Sequence, residues 1–202
     1  GFTFAQDAPL WMRHSVISPD GTTIAFTYKG DIYTVPVAGG RAMQITTNPA
    51  YDTAPVWSPD SKRIAFASDR MGSLDVYIVA KDGGEPRRLT THSGSETPLA
   101  FTDAGHVLFS AGIMPSAEAV VFPSNGQFNQ VYRVSVEGGR PTMISSMPME
   151  CISINKEGAM LYQDKKGYED YWRKHHVSPI ARDIWMYTPG KEPQYRQLTT
   201  FG

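Results

Sequence analysis

The sequence of 202 residues has little of what several classes of protein require. Its single cysteine cannot form an internal disulfide bond, and no apolar run approaches the roughly 18 residues of a membrane-spanning helix. With 19 basic and 20 acidic side chains the net charge is −1, so neither nucleic-acid binding nor membrane insertion is expected. Leucine occurs only seven times, which disfavours helical bundles and coiled coils.

The residues that are abundant favour strands and turns. Threonine, isoleucine, valine, tyrosine and phenylalanine are frequent, and 18 glycines and 15 prolines provide many turns. Hydrophobic residues make up 41% of the chain and charged residues 19%, which is enough apolar material for a packed core. The composition therefore predicts a folded, all-β protein.

A unit of three short elements occurs four times along the chain. Its first element is clearest at residues 18–26 (SPDGTTIAF) and 58–66 (SPDSKRIAF), which are 40 residues apart, with weaker copies at 101–109 and 154–162. The second element follows each copy as DIY, DVY, QVY and DIW at residues 31–33, 75–77, 130–132 and 183–185. The third element begins with glycine, at 39–40, 83–84, 138–139 and 190. It finishes with the end of a strand, at 45–47, 89–91, 144–145 and 198–200. Four ordered copies indicate a repeat architecture.

Each repeat translates into four short strands, A to D. In the second repeat we expect strand A at 54–57, B at 63–68, C at 75–80 and D at 86–91, joined by Ser-Pro-Asp and Gly-Gly turns. Strands B and C are almost continuously apolar, which indicates that both faces of the sheet are buried. Four-stranded antiparallel sheets at a spacing of about 40–55 residues predict the blades of a β-propeller.

The repeat also predicts how the chain is divided. We expect a lead-in at residues 1–8 and a propeller segment at 9–202, with blades at about 9–47, 54–91, 97–145 and 150–200. The last repeat lacks an atypical capping sequence, so we expect these blades to be part of a larger propeller; a complete four-bladed ring is the alternative.

Function is expected where the repeats differ, in the connections between strands B and C. These grow from five and nine residues in the first two repeats to 21 in the third and 21 in the fourth. B–C connections share a face with the D-to-A crossings between blades, so the two insertions build up one face of the ring. The third-repeat insertion (111–126) is apolar, and either packs on a blade or forms a contact surface for a partner.

The fourth-repeat insertion concentrates aromatic and charged side chains. We expect Glu169, Arg173, His175, His176 and Arg182 to contact a peptide or protein partner, with arginine as the clamp for carboxylates or carbonyls. Alternatively, Arg173 and Arg182 pair with Glu169, Asp170 or Asp183 and brace the blade. Adjacent histidines in extended chain point to opposite sides, so neither a metal nor another cofactor is expected. Cys151 is expected to be a small buried residue of a strand A.

The repeat resembles a known family. The pattern SPDG…IAF…DIY…GG…LTT is similar to the WD40-like (PD40) propeller repeats of TolB and of Tricorn-type proteases, from residue 10 to residue 200. The stretch 168–176 (YEDYWRKHH) followed by 182–185 (RDIW) resembles the Tricorn-type group more closely. Only the first repeat keeps SPDG intact; the second has Ser61 in place of glycine, and the last two lose the proline, which predicts less regular turns.

The resemblance implies a function for the parent protein more than for this chain. In Tricorn-type proteases the N-terminal propellers precede a PDZ module and an S41-type serine peptidase core, and no catalytic residue of that core matches a residue here. The resemblance thus implies a non-catalytic propeller that docks on the peptidase core and guides or screens peptides, in a periplasmic or otherwise exported protein, with the cytoplasm as the alternative. Two other hypotheses stay open: a free-standing TolB-like interaction module that binds through residues 111–123, and a small propeller lyase or hydrolase that uses His175 or His176.

Overall fold

The computed structural model describes residues 11–112, 129–147, 149–155, 157–164 and 182–200, which form sixteen strands in four antiparallel sheets of four. The predicted all-β propeller architecture is thereby confirmed. No helix among the described residues is long and apolar enough to cross a membrane. The first two sheets consist of β1 (Arg13–Ile17), β2 (Thr23–Tyr28), β3 (Asp31–Pro36), β4 (Met43–Gln44), β5 (Asp52–Trp57), β6 (Arg63–Ser68), β7 (Asp75–Ala80) and β8 (Arg87–Arg88). The last two consist of β9 (Glu96–Asp103), β10 (His106–Ala111), β11 (Gln130–Ser135), β12 (Thr142–Ser145), β13 (Met149–Ile154), β14 (Met160–Asp164), β15 (Ile184–Thr188) and β16 (Gln194–Gln197).

Strands B and C of the second repeat, β6 and β7, have the bounds that the sequence predicts, and both are buried almost throughout. Strand D is shorter than expected, since β8 contains only two residues. The reason lies at Val76: its carbonyl accepts from the backbone of Leu89 at 2.7 Å, but its N–H donates to the Thr90 hydroxyl at 2.9 Å. A side chain thus replaces the next backbone partner and ends the ladder.

Strand A shifts its register against strand B in all four sheets, and in three of them the shift is a β-bulge at a residue of positive φ. The pairing with strand B shifts register between Arg13 and Val16 and at the matching places in β5 and β13. His14, Ala54 and Cys151 occupy equivalent positions there, each with a φ near +50°. The expectation that Cys151 is buried is wrong, because it is the bulged residue and its side chain is exposed.

Consecutive sheets stack face to face at three junctions, and the first strands of the sheets (β1, β5, β9 and β13) contact one another in order. At each junction an aliphatic face of one sheet receives an aromatic face of the next. Ala25 and Ile32 pack with Phe66 and Tyr77 at the first junction, Ala65 and Val76 with Phe109 and Tyr132 at the second, and Leu108 and Val131 with Tyr162 and Tyr187 at the third. This double-sided burial explains why strands B and C are continuously apolar.

The Ser-Pro-Asp turns of the first two repeats share one hydrogen-bond pattern. The Ser58 hydroxyl donates to Asp60 Oδ1 at 2.5 Å and accepts from the Arg63 N–H at 2.9 Å; Ser18 makes the matching bonds at 2.5 and 3.0 Å. The loss of glycine at Ser61 does not disrupt the turn. Ser61 adopts φ +57°, and its hydroxyl accepts a bond from the Asp20 N–H of the neighbouring repeat at 3.1 Å.

We predict that Ser58→Ala lowers the free energy of unfolding by about 2 kcal/mol, because a fully buried hydroxyl with two partners is lost. Urea denaturation of the whole chain measures the change. Ser93→Ala, at an exposed position between the second and third sheets, is the control and should leave the denaturation midpoint in place. Equal midpoints for both variants would contradict the assigned role of the serine.

Candidate functional site

The B–C connections and the D-to-A crossings lie together at one end of the sheets, as the sequence predicts. The Asp52 N–H donates to the Gly30 carbonyl at 2.7 Å, and the Glu96 N–H donates to the Leu74 carbonyl at 2.7 Å. In each bond the first residue of a strand A is tied to the B–C connection of the preceding repeat. The long insertions of the third and fourth repeats leave their sheets from this same end, after β10 and β14.

A threonine clasp closes three of the four sheets at this end. The hydroxyls of Thr46, Thr90 and Thr199 each accept a hydrogen bond from a backbone N–H of strand C, at 3.0, 2.9 and 2.9 Å. The donating residue directly follows an aspartate that begins or precedes strand C. In the first and fourth sheets the same hydroxyl donates to that aspartate, at 3.3 Å to Asp31 and 3.2 Å to Asp183. The repeated Leu-Thr-Thr and Asp-Ile-Tyr motifs are therefore two halves of one structural element.

A buried ion pair lies at the first junction. The Arg70 guanidinium donates to both carboxylate oxygens of Asp52, at 3.0 and 2.9 Å, and stacks 4.6 Å from the ring centre of Tyr77. A cleft of about 650 Å³ opens beside it, and Arg88 also borders the cleft. Arg88 pairs with Asp75 at 2.9 Å. Since both arginines of this cleft are engaged with carboxylates of the fold, their primary effect is to brace the sheets.

Arg182 is the one predicted contact residue within the described part of the chain. Its Nη1 donates to Glu150 Oε2 of β13 at 2.5 Å, and its side chain is 29% exposed. The sequence suggested Asp183 as a partner, but Asp183 accepts from Thr199 at 3.2 Å and from Gln197 at 2.9 Å. Asp183 is therefore bonded to β16 and to the threonine that follows it, while Arg182 pairs with Glu150. Glu150 escaped prediction because it lies 32 residues before Arg182 and reaches it only through the register of the sheet.

The other predicted contact residues, Glu169, Arg173, His175 and His176, lie outside the described residues, as does most of the apolar third-repeat insertion. Their roles stay predictions. Arg182 and Glu150 nevertheless fix the point at which the fourth-repeat insertion rejoins its sheet. This pair defines the base of the candidate site.

The described histidines bond to groups of the scaffold, one of them across the first junction. His14 Nδ1 lies 3.0 Å from the Thr53 hydroxyl, His92 Nδ1 accepts from the Gly94 N–H at 3.0 Å, and His106 Nδ1 lies 3.0 Å from Asp103. Within the described ranges no group of three His, Cys, Asp or Glu side chains is arranged to hold a metal ion. The chemistry offered at the described end of the sheets is ion pairing and hydrogen bonding.

Comparison with known proteins places this architecture in context. The family model of the Tricorn protease N-terminal β-propeller domain matches residues 9–202. Tricorn protease homolog 1 of Streptomyces coelicolor is 25% identical over 180 residues, which cover 89% of this chain but only 16% of that protein.

Solved structures show the same fold. A putative TolB from Agrobacterium tumefaciens has a TM-score of 0.65 at 23% identity, over 90% of this chain and 63% of that one. The tricorn protease has a TM-score of 0.64 at 13% identity, over 92% of this chain and 22% of that one.

Proposed function

The chain belongs to the family of Tricorn protease N-terminal β-propeller domains, and from this premise we propose that it is a non-catalytic propeller segment of a Tricorn-like serine peptidase. The segment docks on the peptidase core of its parent and guides or screens peptides. Its match covers only 16% of the Streptomyces relative, so the proposed hydrolysis is assigned to the rest of the parent protein.

The part-exposed Arg182–Glu150 pair carries the proposal for peptide binding. It lies where the fourth-repeat insertion rejoins the sheet, at the end that holds the crossings between blades. A guanidinium presents five N–H donors in a planar fork, and the bond from Nη1 to Glu150 uses one of them. Because its side chain is part exposed, Arg182 can be oriented by Glu150 and still bind a peptide carboxylate or carbonyl.

We predict that Arg182→Ala weakens peptide binding by at least about tenfold, since a charge-assisted contact is lost. Fluorescence anisotropy with labelled peptides of mixed sequence measures the dissociation constant. Glu150→Gln should give a smaller loss, because it removes the orienting charge and keeps the guanidinium. Lys62→Ala removes one positive charge from the exposed turn at the opposite end and is the matched control. Equal weakening by the arginine and lysine variants would refute a specific clamp.

A second candidate function is a free-standing interaction module. The likeness to TolB favours it, since this chain covers 63% of that structure. In that case the apolar third-repeat insertion binds the partner. Deleting residues 113–123 would then abolish partner capture, whereas Arg182→Ala would leave it intact. The opposite pattern supports the peptide-guiding function.

A further inference from the structure

The second junction contains two fully buried carboxyl groups side by side. Glu96 begins β9 and Asp75 begins β7, and neither has any exposed surface. The bond from the Glu96 N–H to the Leu74 carbonyl fixes the start of β9 next to Asp75. Both oxygens of the Glu96 carboxyl are buried, and neither has a hydrogen-bond donor among the described residues.

The second junction has one arginine side chain close to its two buried carboxyl groups. Arg88 Nη2 contacts Asp75 Oδ2 at 2.9 Å, and no described cation forms an ion pair with Glu96. At the first junction, by contrast, Asp52 takes both of its bonds from Arg70. Two buried carboxylates that share one part-exposed guanidinium cannot both ionise without a large electrostatic cost.

The charged groups of the other elements packed against β9 are engaged elsewhere. They comprise Asp52 of β5, held by Arg70; Arg63 of β6, bonded to the Ala104 carbonyl; His106 of β10, paired with Asp103; and Glu150 of β13, paired with Arg182. The groups that act on Glu96 are therefore Asp75 from β7 and Arg88 from β8.

We propose that the second junction is a proton-dependent joint: while the junction is closed, Glu96 is protonated and its O–H donates a hydrogen bond to the Asp75 carboxylate, and release of this proton to solvent loosens the contact between β9 and β7. This inference is independent of the proposed peptide binding. It concerns how firmly the second and third blades are held together. At the first junction the equivalent carboxylate, Asp52, is instead paired with Arg70.

The electrostatics give the direction of the effect. Burial, and the Asp75 carboxylate, raise the pKa of Glu96 to about 7, against the opposing effects of Thr90 and Arg88. In the unfolded chain the pKa of this carboxyl returns to its ordinary value of 4.5. The folded protein therefore binds this proton more tightly than the unfolded chain does. The stabilisation of the folded state that results is fully present below pH 4.5 and is lost as the pH rises through about 7. Over that window the unfolding equilibrium constant rises by roughly two orders of magnitude.

Urea denaturation of the whole chain at pH 5 and pH 8 tests the joint. Glu96→Gln mimics the protonated side chain, since its amide can donate to Asp75 at every pH. For each chain we compare the equilibrium constant of unfolding at pH 8 with that at pH 5. We expect its increase over this range to be about 100-fold larger in the native sequence than in the glutamine variant. Glu137→Gln, at an exposed carboxylate, should retain the native ratio. Equal ratios for the native chain and Glu96→Gln would overturn the proposal.

Native-state hydrogen exchange gives a second test that needs no variant. The Glu96 amide and the Asp52 amide make matching 2.7 Å bonds at the second and first junctions. After correction for intrinsic exchange rates, the protection of the Glu96 amide should fall between pH 6 and pH 8 relative to that of Asp52. A constant ratio of the two protection factors would also overturn the proposal.

Discussion

Leu108→Ala is expected to lower the free energy of unfolding by about 3 kcal/mol, whereas Leu161→Ala, at the same position of the next repeat, should lower it by less than about 1 kcal/mol. Leu108 has no exposed surface and packs against the fourth sheet at the third junction. Leu161 is 43% exposed. The two substitutions delete the same atoms, so they differ only in whether a following sheet covers the site.

Urea denaturation of both variants beside the native chain measures the difference. Far-UV circular dichroism before denaturation verifies that each variant retains its strands. Equal destabilisation by the two substitutions would mean that the face of the fourth sheet is covered as completely as that of the third, contrary to the structure.

The apolar face of the fourth sheet is exposed where the equivalent faces of earlier sheets are covered by a following sheet, as expected if these blades are part of a larger propeller. Leu161, Ile184 and Leu198 are 43%, 46% and 43% exposed there. Their equivalents in the second sheet, Ala65, Val76 and Leu89, are covered by the third sheet. The internal repeat thus shows which chemical face a blade presents to the next one.

Asp52→Asn should cost about 3 kcal/mol, the second large effect that we expect. Asp52 is fully buried, and its carboxylate neutralises an Arg70 side chain that is only 13% exposed. Removing one partner of a buried pair leaves the other charge uncompensated in a site of low polarity. The stacking of Arg70 on Tyr77 holds the guanidinium in place, so it cannot readily move into solvent.

The matched control is Glu137→Gln, which breaks the exposed pair of Arg87 and Glu137. Exposed ion pairs are screened by solvent, so this variant should denature at the same urea concentration as the native chain. If the two variants have indistinguishable midpoints, the Asp52–Arg70 pair is not a brace of the first junction.

The fold could be predicted from the sequence because its information is repeated four times. The limits of β6 and β7 followed from apolar runs between Gly, Pro and Asp turns. The sequence did not predict the features that depend on how strands pair in three dimensions. The bulge exposes Cys151 by changing the local direction of the chain, and the hydroxyl of Thr90 ends a ladder that pattern alone would continue.

The candidate site was less predictable than the fold. The sequence singled out Arg182 through the density of charged and aromatic residues around it, but assigned its partner among neighbours in the chain. Its actual partner, Glu150, lies on another strand of the same repeat, whereas the Glu96–Asp75 pair joins different repeats. Contacts between repeats depend on the packing of sheets, which a single sequence does not encode as a local motif.

Affinity capture followed by mass spectrometry is the most direct test of a non-catalytic, peptide-guiding propeller. A defined peptide mixture is incubated with the immobilised chain, and the retained and unretained fractions are sequenced. The proposed function predicts that a subset of peptides is retained intact by the native chain and is lost with Arg182→Ala. Cleaved peptides in either fraction, or identical retention by the native chain and the variant, would contradict it.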